Sequence, residues 1–236
     1  DGMLTDYPGA TLLQAKGSRL RLVMETDGSL SLIASKKSNV RNPDDLKGKN
    51  ISVSGNTFVE YATDEVMKRA CLHPGEVNKP EINNIPLRLM MLEDGQISAS
   101  FLPGPATAIA LNDGHTALLN TRQMGLRCTG IVFSEKAITE KDEEIRRFIT
   151  GYNLGVKYLQ TRPQNEWTEI LVKEFGLQEK AAMQIDLPDY RSATRPSYHD
   201  IEKIIAWLKS KGAIPDYYPG ENLVDTTFIP GTLKPQ

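Results

Sequence analysis

The stretch from Ile51 to Met67, which contains Ser54-Gly55-Asn56-Thr57-Phe58, changes period in its middle, and that change constrains the fold more than any other feature of the chain. Ile51 to Ser54 alternates like a strand. Gly55-Asn56-Thr57 has the chemistry of a turn and a helix cap, and from Phe58 onward the apolar residues fall at helical spacing. The first turn of a helix has no internal acceptors, so a strand feeding straight into one leaves several backbone N–H groups converging on one place. Two further junctions of this kind stand at Leu4-Thr5-Asp6-Tyr7 and at Leu102-Pro103-Gly104-Pro105. Strand and helix alternating in units of roughly 40 residues indicate an α/β architecture and predict a largely parallel sheet.

Around these junctions the sequence predicts a helix over Pro8 to Lys16, strands over Leu20 to Met24 and Leu30 to Ser35, and a short capped turn from Asn42 to Lys49. A strand over Asn50 to Ser54, a helix over Thr57 to Ala70 and a brief helix with Pro86 in its first turn come next. Gln96 to Leu102 reads as a strand and Ala106 to Leu111 as the helix after it. Beyond Gly130-Ile131-Val132-Phe133 the texture becomes helical. One helix is opened by Thr139, with Ile145, Phe148, Ile149, Tyr152 and Val156 along its apolar face. Asn165 to Phe175 gives a second, closed by Gly176; Gln178 to Ile185 a third; Ser197 to Lys211 a fourth, closed by Gly212. The tail from Pro215 reads as irregular chain anchored by Leu223-Val224 and Phe228-Ile229.

Composition narrows the function. A chain of 236 residues with 39% hydrophobic content can build one large domain or two lobes. Its 28 basic and 30 acidic residues leave a net charge of −2, which gives no electrostatic reason to propose nucleic acid or an anionic membrane as partner. No apolar run reaches the ~18 residues of a membrane span, and no leader with a charged then apolar pattern precedes a cleavage site. Cys71 and Cys128 lack any CxxC or Cys/His neighbourhood, so they read as buried or semi-buried thiols, with a disulfide the other option. Phosphate-loop, dinucleotide, nucleophile-elbow and HExxH patterns are all missing, which predicts no cofactor, no metal site and no catalytic residue. His73, His115 and His199 are expected in surface or capping roles. Glu60 and Asp64, one helical turn apart, read as a solvated acidic face ahead of an acid/base pair.

Open α/β sheets bind ligands at the carboxyl ends of their strands, where helix N-termini gather. The candidate ligand-binding residues are therefore Asp6 and Tyr7, Ser54, Asn56 and Thr57, and Pro103 and Gly104. Each has a plainer alternative. Asp6, Asn56 or Thr57 can simply cap its helix, and Tyr7 can be packing as readily as a ring that stacks on a ligand.

An ordered series of segments then suggests a family: Ser35-Lys36-Lys37-Ser38-Asn39, Asp44-Asp45-Leu46-Lys47-Gly48-Lys49, Val53 to Asp64, and Ile85 to Ile97. With Asp1 to Asp6 and Asn222 to Phe228, they resemble substrate-binding proteins of ABC importers, of the alkanesulfonate, taurine and thiamine-precursor type. The resemblance implies a bilobal periplasmic-binding-protein-like fold (type II) with two hinge crossings, near Leu30 to Ser35 and near Thr129 to Ser134. Lobe one would comprise 1–35 and 129–236, and lobe two 36–128. It implies a solute receptor that captures a small polar or anionic organic molecule between the lobes and presents it to an ABC permease in the membrane. The expected location is periplasmic or extracellular, with a membrane anchor if the protein is a lipoprotein. The alternative is an enzyme on the same bilobal fold, of the pyrimidine-precursor or menaquinone-pathway type.

Two departures from the family pattern stand out. Family members carry further strands ahead of the one ending in Leu4-Thr5-Asp6, so lobe one is expected to be incomplete at its N-terminus. A dimer formed through its open sheet edge is a possible consequence. Gly104 also replaces the acidic residue that relatives often place between the two prolines, which removes a carboxylate from that wall of the cleft.

Overall fold

The computed structural model describes residues 1–183, 185 and 189–229. Two sheets organise them. The first has the order β1-β7-β2, from β1 (Gly2–Asp6), β2 (Leu20–Thr26) and β7 (Thr129–Ser134). The second has the order β4-β5-β3-β6, from β3 (Leu30–Ala34), β4 (Ile51–Ser52), β5 (Ala99–Pro103) and β6 (Thr116–Asn120). β6 has no counterpart in the sequence reading.

The expectation of a largely parallel sheet is corrected. Among the described ladders only β4 with β5 is parallel, while β1 and β2 both pair antiparallel to β7, and β5 and β6 both pair antiparallel to β3. The reason is that β3 and β7 each sit between two strands that run against them, so alternation in sequence does not become parallel adjacency in space. β3 is paired with β5 from Leu30 to Ala34, and β7 is paired across its length in the first sheet. The chain therefore passes between the sheets through Asp27–Ser29 and Thr121–Cys128, the stretches flanking the segments where the sequence suggests crossings.

Helices form where the caps direct. α1 (Tyr7–Ala15) is capped by Asp6, and α2 (Phe58–Arg69) by Thr57, whose Oγ1 accepts the Val59 N–H at 3.2 Å. α3 (Ile85–Asp94) has Pro86 in its first turn and ends at Gly95, held in the left-handed conformation at φ 74°. α4 (Gly104–Asn112) follows β5 without a break. After β7 come α5 (Glu135–Glu140), capped by Ser134, and α6 (Asp142–Thr161), so the helix start read at Thr139 falls inside α5. α7 (Gln164–Phe175) closes at Gly176, α8 spans Glu179–Met183, and α9 (Tyr198–Ser210) is capped by Ser197. Gln184, within the helix predicted over 178–185, and the tail after Ile229 lie outside the described residues.

The main core is shared between the sheets. Tyr7, Leu22 and Ile204 from the side of the first sheet pack in one cluster with Leu32, Phe58 and Phe101 from the second. Full burial of each such side chain is worth about 1.5–3 kcal/mol against exposure, so this cluster binds the halves as well as filling each. Smaller clusters lie outside it, around Met24, Ile131 and Ile145 on the first sheet and around Ile33, Leu92 and Leu102 on the second. Gly130 permits the close approach of β7 to β2, because a Cβ there would stand 2.7 Å from the Met24 carbonyl oxygen. The tail anchors act as read: the Leu22 N–H donates to the Leu223 carbonyl at 2.7 Å, which seats the tail along the edge of β2.

Candidate functional site

The carboxyl ends of β1, β2, β4 and β5 supply the polar groups of the candidate site. Asp6 ends β1 and begins α1. One of its oxygens, Oδ1, accepts the Gly9 N–H at 2.7 Å as a helix cap. The other, Oδ2, accepts the Phe58 N–H at 2.8 Å, from the first turn of α2 on the second sheet. One carboxylate thus joins the N-termini of two helices that belong to different sheets. Burial raises the Asp6 pKa above the ordinary carboxylate value, against the lowering effect of the Phe58 and Gly9 N–H groups.

The turn before α2 is internally tied. The Asn56 N–H donates to Glu60 Oε2 at 2.7 Å, and the Thr57 Oγ1 hydroxyl donates to the Ser54 carbonyl at 2.8 Å. Ser54 Oγ donates to Asn83 Oδ1 at 2.6 Å. Asn56 holds a left-handed φ of 55°, which its short polar side chain tolerates. A side chain on Gly55 would run into the Glu81 carboxylate, 2.8 Å from the Cβ position.

Glu60 and Asp64 do not form a solvated acidic face, which corrects that expectation. Glu60 is 7% exposed and pairs with Lys211, from beyond α9, and with Lys79 at 3.4 Å. Burial opposes its ionisation, but Lys211, the Asn56 N–H and Lys79 outweigh it and hold the carboxyl below its ordinary value. Asp64 pairs with Lys79 at 2.6 Å and accepts the Trp207 Nε1–H at 2.9 Å, while the Trp207 ring meets Tyr61 edge-on at 5.3 Å. These contacts lock α9 against α2.

A second polar cluster gathers at the end of β2. Arg191 donates to Glu25 Oε1 at 2.6 Å and to Asp27 Oδ1 at 2.8 Å, and Arg127 donates to the same Asp27 oxygen at 2.9 Å. Tyr7 is fully buried and its hydroxyl donates to Glu25 Oε2 at 3.1 Å, so its ring is packing and no stacking face is offered. Burial pushes the phenol far above its ordinary pKa, with the Glu25 charge adding to the shift. Sequence reasoning missed this cluster. Its one local trace is two acids, Glu25 and Asp27, at the end of an apolar strand.

Pro103 ends β5 at the cap position of α4, and Gly104 begins that helix. Gly104 lines a small cavity of about 160 Å³ with Ser29, Ser31, Thr107 and Arg122, whose walls include none of the other candidate residues. The structure therefore brings Asp6 to the α2 turn that carries Thr57, places Tyr7 in the core beside them, and sets Gly104 on a different wall.

Among the described residues, no group of three or more His, Cys, Asp or Glu side chains could hold a metal ion, and no helix is long and apolar enough to cross a membrane. The thiols are free; Cys128 is buried as expected, but Cys71 is exposed, which corrects its reading as buried or semi-buried. His115 is buried between the Lys36 N–H, which its Nδ1 accepts at 3.1 Å, and Glu93, 3.1 Å from its Nε2, which corrects its expected surface or capping role.

Comparison with known proteins agrees with this architecture. A family described as NMT1/THI5 like matches residues 6–166. The alkanesulfonate-binding protein SsuA from Xanthomonas axonopodis pv. citri, solved with MOPS bound, superposes with a TM-score of 0.77 at 18% identity, over 91% of this chain and 76% of that one. The periplasmic aliphatic sulphonate binding protein SsuA from Escherichia coli gives a TM-score of 0.79 at 14% identity, over 98% and 78%. The desulfurization enzyme DSZB gives 0.67 at 12% identity, over 96% and 83%. Comparison with curated proteins by sequence finds no match. The fold is that of the periplasmic binding proteins.

Proposed function

Because the chain belongs to the NMT1/THI5-like family, we propose that it is the solute receptor of an ABC importer, capturing a small polar or anionic organic molecule where its two sheets meet and presenting it to a permease. The observation that carries this reading is the meeting of strand ends from both sheets at Asp6 and the first turn of α2, bridged by the hydrogen bond from Phe58 to Asp6. A ligand held there would touch both halves at once, which is what couples binding to closure in a hinged receptor. On this reading the halves are two lobes, about 1–35 with 129–236 and about 36–128. The pairing of Leu30–Ala34 with β5 favours assigning that strand to the second lobe. Ser54, Asn56 and Thr57 would contribute from lobe two, Asp6 from lobe one, and Pro103 and Gly104 would shape the far wall. The protein would work in the periplasm or at the cell exterior.

Thermal-shift and calorimetric screening against sulfonates, pyrimidines and amino acids tests the reading. A ligand that binds only the folded state raises stability by RT ln(1 + [L]/Kd), so a bound solute moves the melting temperature in a concentration-dependent way. A chain that shifts with no member of any class counts against a receptor.

The second reading, an enzyme on this fold, is favoured by the likeness to DSZB. It needs a reactive group at the meeting of the sheets. The thiol there belongs to Cys128, whose carbonyl accepts the Tyr7 N–H, and it is 1% exposed, with burial pushing its pKa well up. Such a thiol is a poor nucleophile.

A further inference from the structure

α3 is built inside out. Leu87 and Met90 stand on its outer side, 39% and 56% exposed, while Arg88 turns inward and is 3% exposed. Among the described residues no Asp or Glu pairs with Arg88; its Nη1 donates to the Phe101 carbonyl at 2.9 Å, and its Nε is buried without a partner. Burial alone pulls the Arg88 pKa below the ordinary guanidinium value, with no neighbouring charge acting on it. Ser52 and Ser100 lie beneath. They face each other across β4 and β5, and Ser100 also stands opposite Ile33, whose apolar cluster includes Leu92, one turn of α3 after Arg88. The three residues therefore share the sheet face that α3 covers. Both serines are fully buried. Ser52 Oγ has no partner among the described residues, and Ser100 Oγ makes only two long bonds of 3.4 Å, one of them to the same Phe101 carbonyl that holds Arg88. β4 ends at Ser52, and Val53 bridges to Glu81, so the two strands part at this level and the group sits at their carboxyl ends.

We propose that Arg88, Ser52 and Ser100 form a binding site for a compact monoanion beneath α3. A buried guanidinium costs free energy unless an opposite charge balances it, and each buried hydroxyl without a partner adds to that cost. The three side chains offer donors and no acid: the Arg88 Nε–H and two hydroxyls that can turn their hydrogens toward one acceptor. A halide, or the carboxylate or sulfonate head of an organic molecule, supplies the balancing charge and takes charge-assisted hydrogen bonds from all three. The long bonds of Ser100 are given up for it at little cost. The anion enters by local opening of α3, a helix of ten residues. The site uses neither Asp6 nor Thr57, and it does not rest on the receptor reading.

The test follows the melting temperature and the chloride NMR linewidth of the full chain as chloride replaces the bulky anion gluconate at fixed ionic strength, and follows the melting temperature again with propanesulfonate in place of chloride. Wild type is compared with Arg88→Met, which keeps the bulk and removes the charge, and with Ser52→Ala. In wild type the melting temperature should rise with the anion and saturate, as RT ln(1 + [L]/Kd) requires. Arg88→Met should lose about tenfold or more in affinity, and Ser52→Ala should lose several-fold. In gluconate alone Arg88→Met should melt at or above wild type, because it no longer buries an unbalanced charge. A response to chloride identifies a free ion and a response to propanesulfonate alone identifies an organic head group; either supports the site. If Arg88→Met does not fold, Ser52→Ala must show its loss by itself. A wild type indifferent to both anions, a rise equal in all three proteins, or an Arg88→Met that melts below wild type in gluconate overturns the proposal. Propanesulfonate that shifts all three alike binds elsewhere, which overturns this site and leaves the receptor reading standing.

Discussion

The β4–α2 and β5–α4 junctions start from neighbouring strands of one sheet, yet they are finished in opposite ways. The α2 junction is closed by side chains from elsewhere: Asp6 from the first sheet takes the Phe58 N–H, Glu60 takes the Asn56 N–H, and Lys211 arrives from beyond α9 to balance Glu60. The α4 junction has Pro103 at the cap position with no side-chain cap, and nothing within 4 Å of where a Gly104 Cβ would stand. The same strand-to-helix geometry thus serves as a fastening at one site and an open wall at the other. What decides is the charge delivered to each by distant parts of the chain.

Replacing Glu60 with alanine should break the contrast most. It strips a buried, doubly paired carboxylate from the α2 junction and leaves Lys211 without its acid, while Lys79 keeps Asp64, so chemical denaturation should report a loss of about 3 kcal/mol. Asp6→Ala comes next, at about 2 kcal/mol by the same measurement, since it removes an acceptor from two charge-assisted hydrogen bonds.

The pH dependence of stability should separate the two acids by sign. The Asp6 pKa is raised in the folded state, so between its ordinary value and the raised one the native chain holds more protons than the unfolded chain. Its contribution to stability therefore falls as pH rises through that window. The Glu60 pKa is lowered, so its contribution is fully present above the unfolded value and is lost as pH falls through the folded one. Denaturation midpoints measured across the acid range should show Asp6→Asn steepening the loss of stability on acidification and Glu60→Gln flattening it; slopes of the same sign in both variants would contradict this assignment.

The smallest effect belongs to the open junction. Gly104→Ala, at a position without left-handed backbone and with room for the methyl group, should leave stability unchanged or raise it by about 0.5 kcal/mol through the unfolded chain. A loss of several times that amount would show that the α4 start is as tightly built as the α2 start.

What could be read from the sequence follows the distance over which each feature is determined. Helix starts at Thr57 and Ser197, Pro86 in the first turn of α3 and the stop at Gly176 are set within a few residues, and they stand where the sequence places them. Strand direction is not legible locally because it depends on which strand lies alongside, and β3 acquires its neighbours β5 and β6 from much later in the chain. β6 itself gave little signal, since half-exposed Thr116–Asn120 becomes a strand by pairing with β3. The polar groups divide the same way. Asp6 and Thr57 were visible as cap chemistry, but the link between Asp6 and Phe58 spans 52 positions and that between Arg191 and Glu25 spans 166. Arg88 is the extreme case. A helical arginine is ordinarily solvated, yet Arg88 is 3% exposed and donates to the Phe101 carbonyl at 2.9 Å, because α3 packs against β5.

The core that runs from Tyr7 and Leu22 through to Phe58 and Phe101 also governs how the molecule comes apart. Because apolar side chains from both sheets share one interior, neither half can melt without wetting the other, and calorimetry should record a single transition with one heat-capacity step. Any rotation of the halves would have to leave that interior dry and pivot on the short passages at Asp27–Ser29 and Thr121–Cys128.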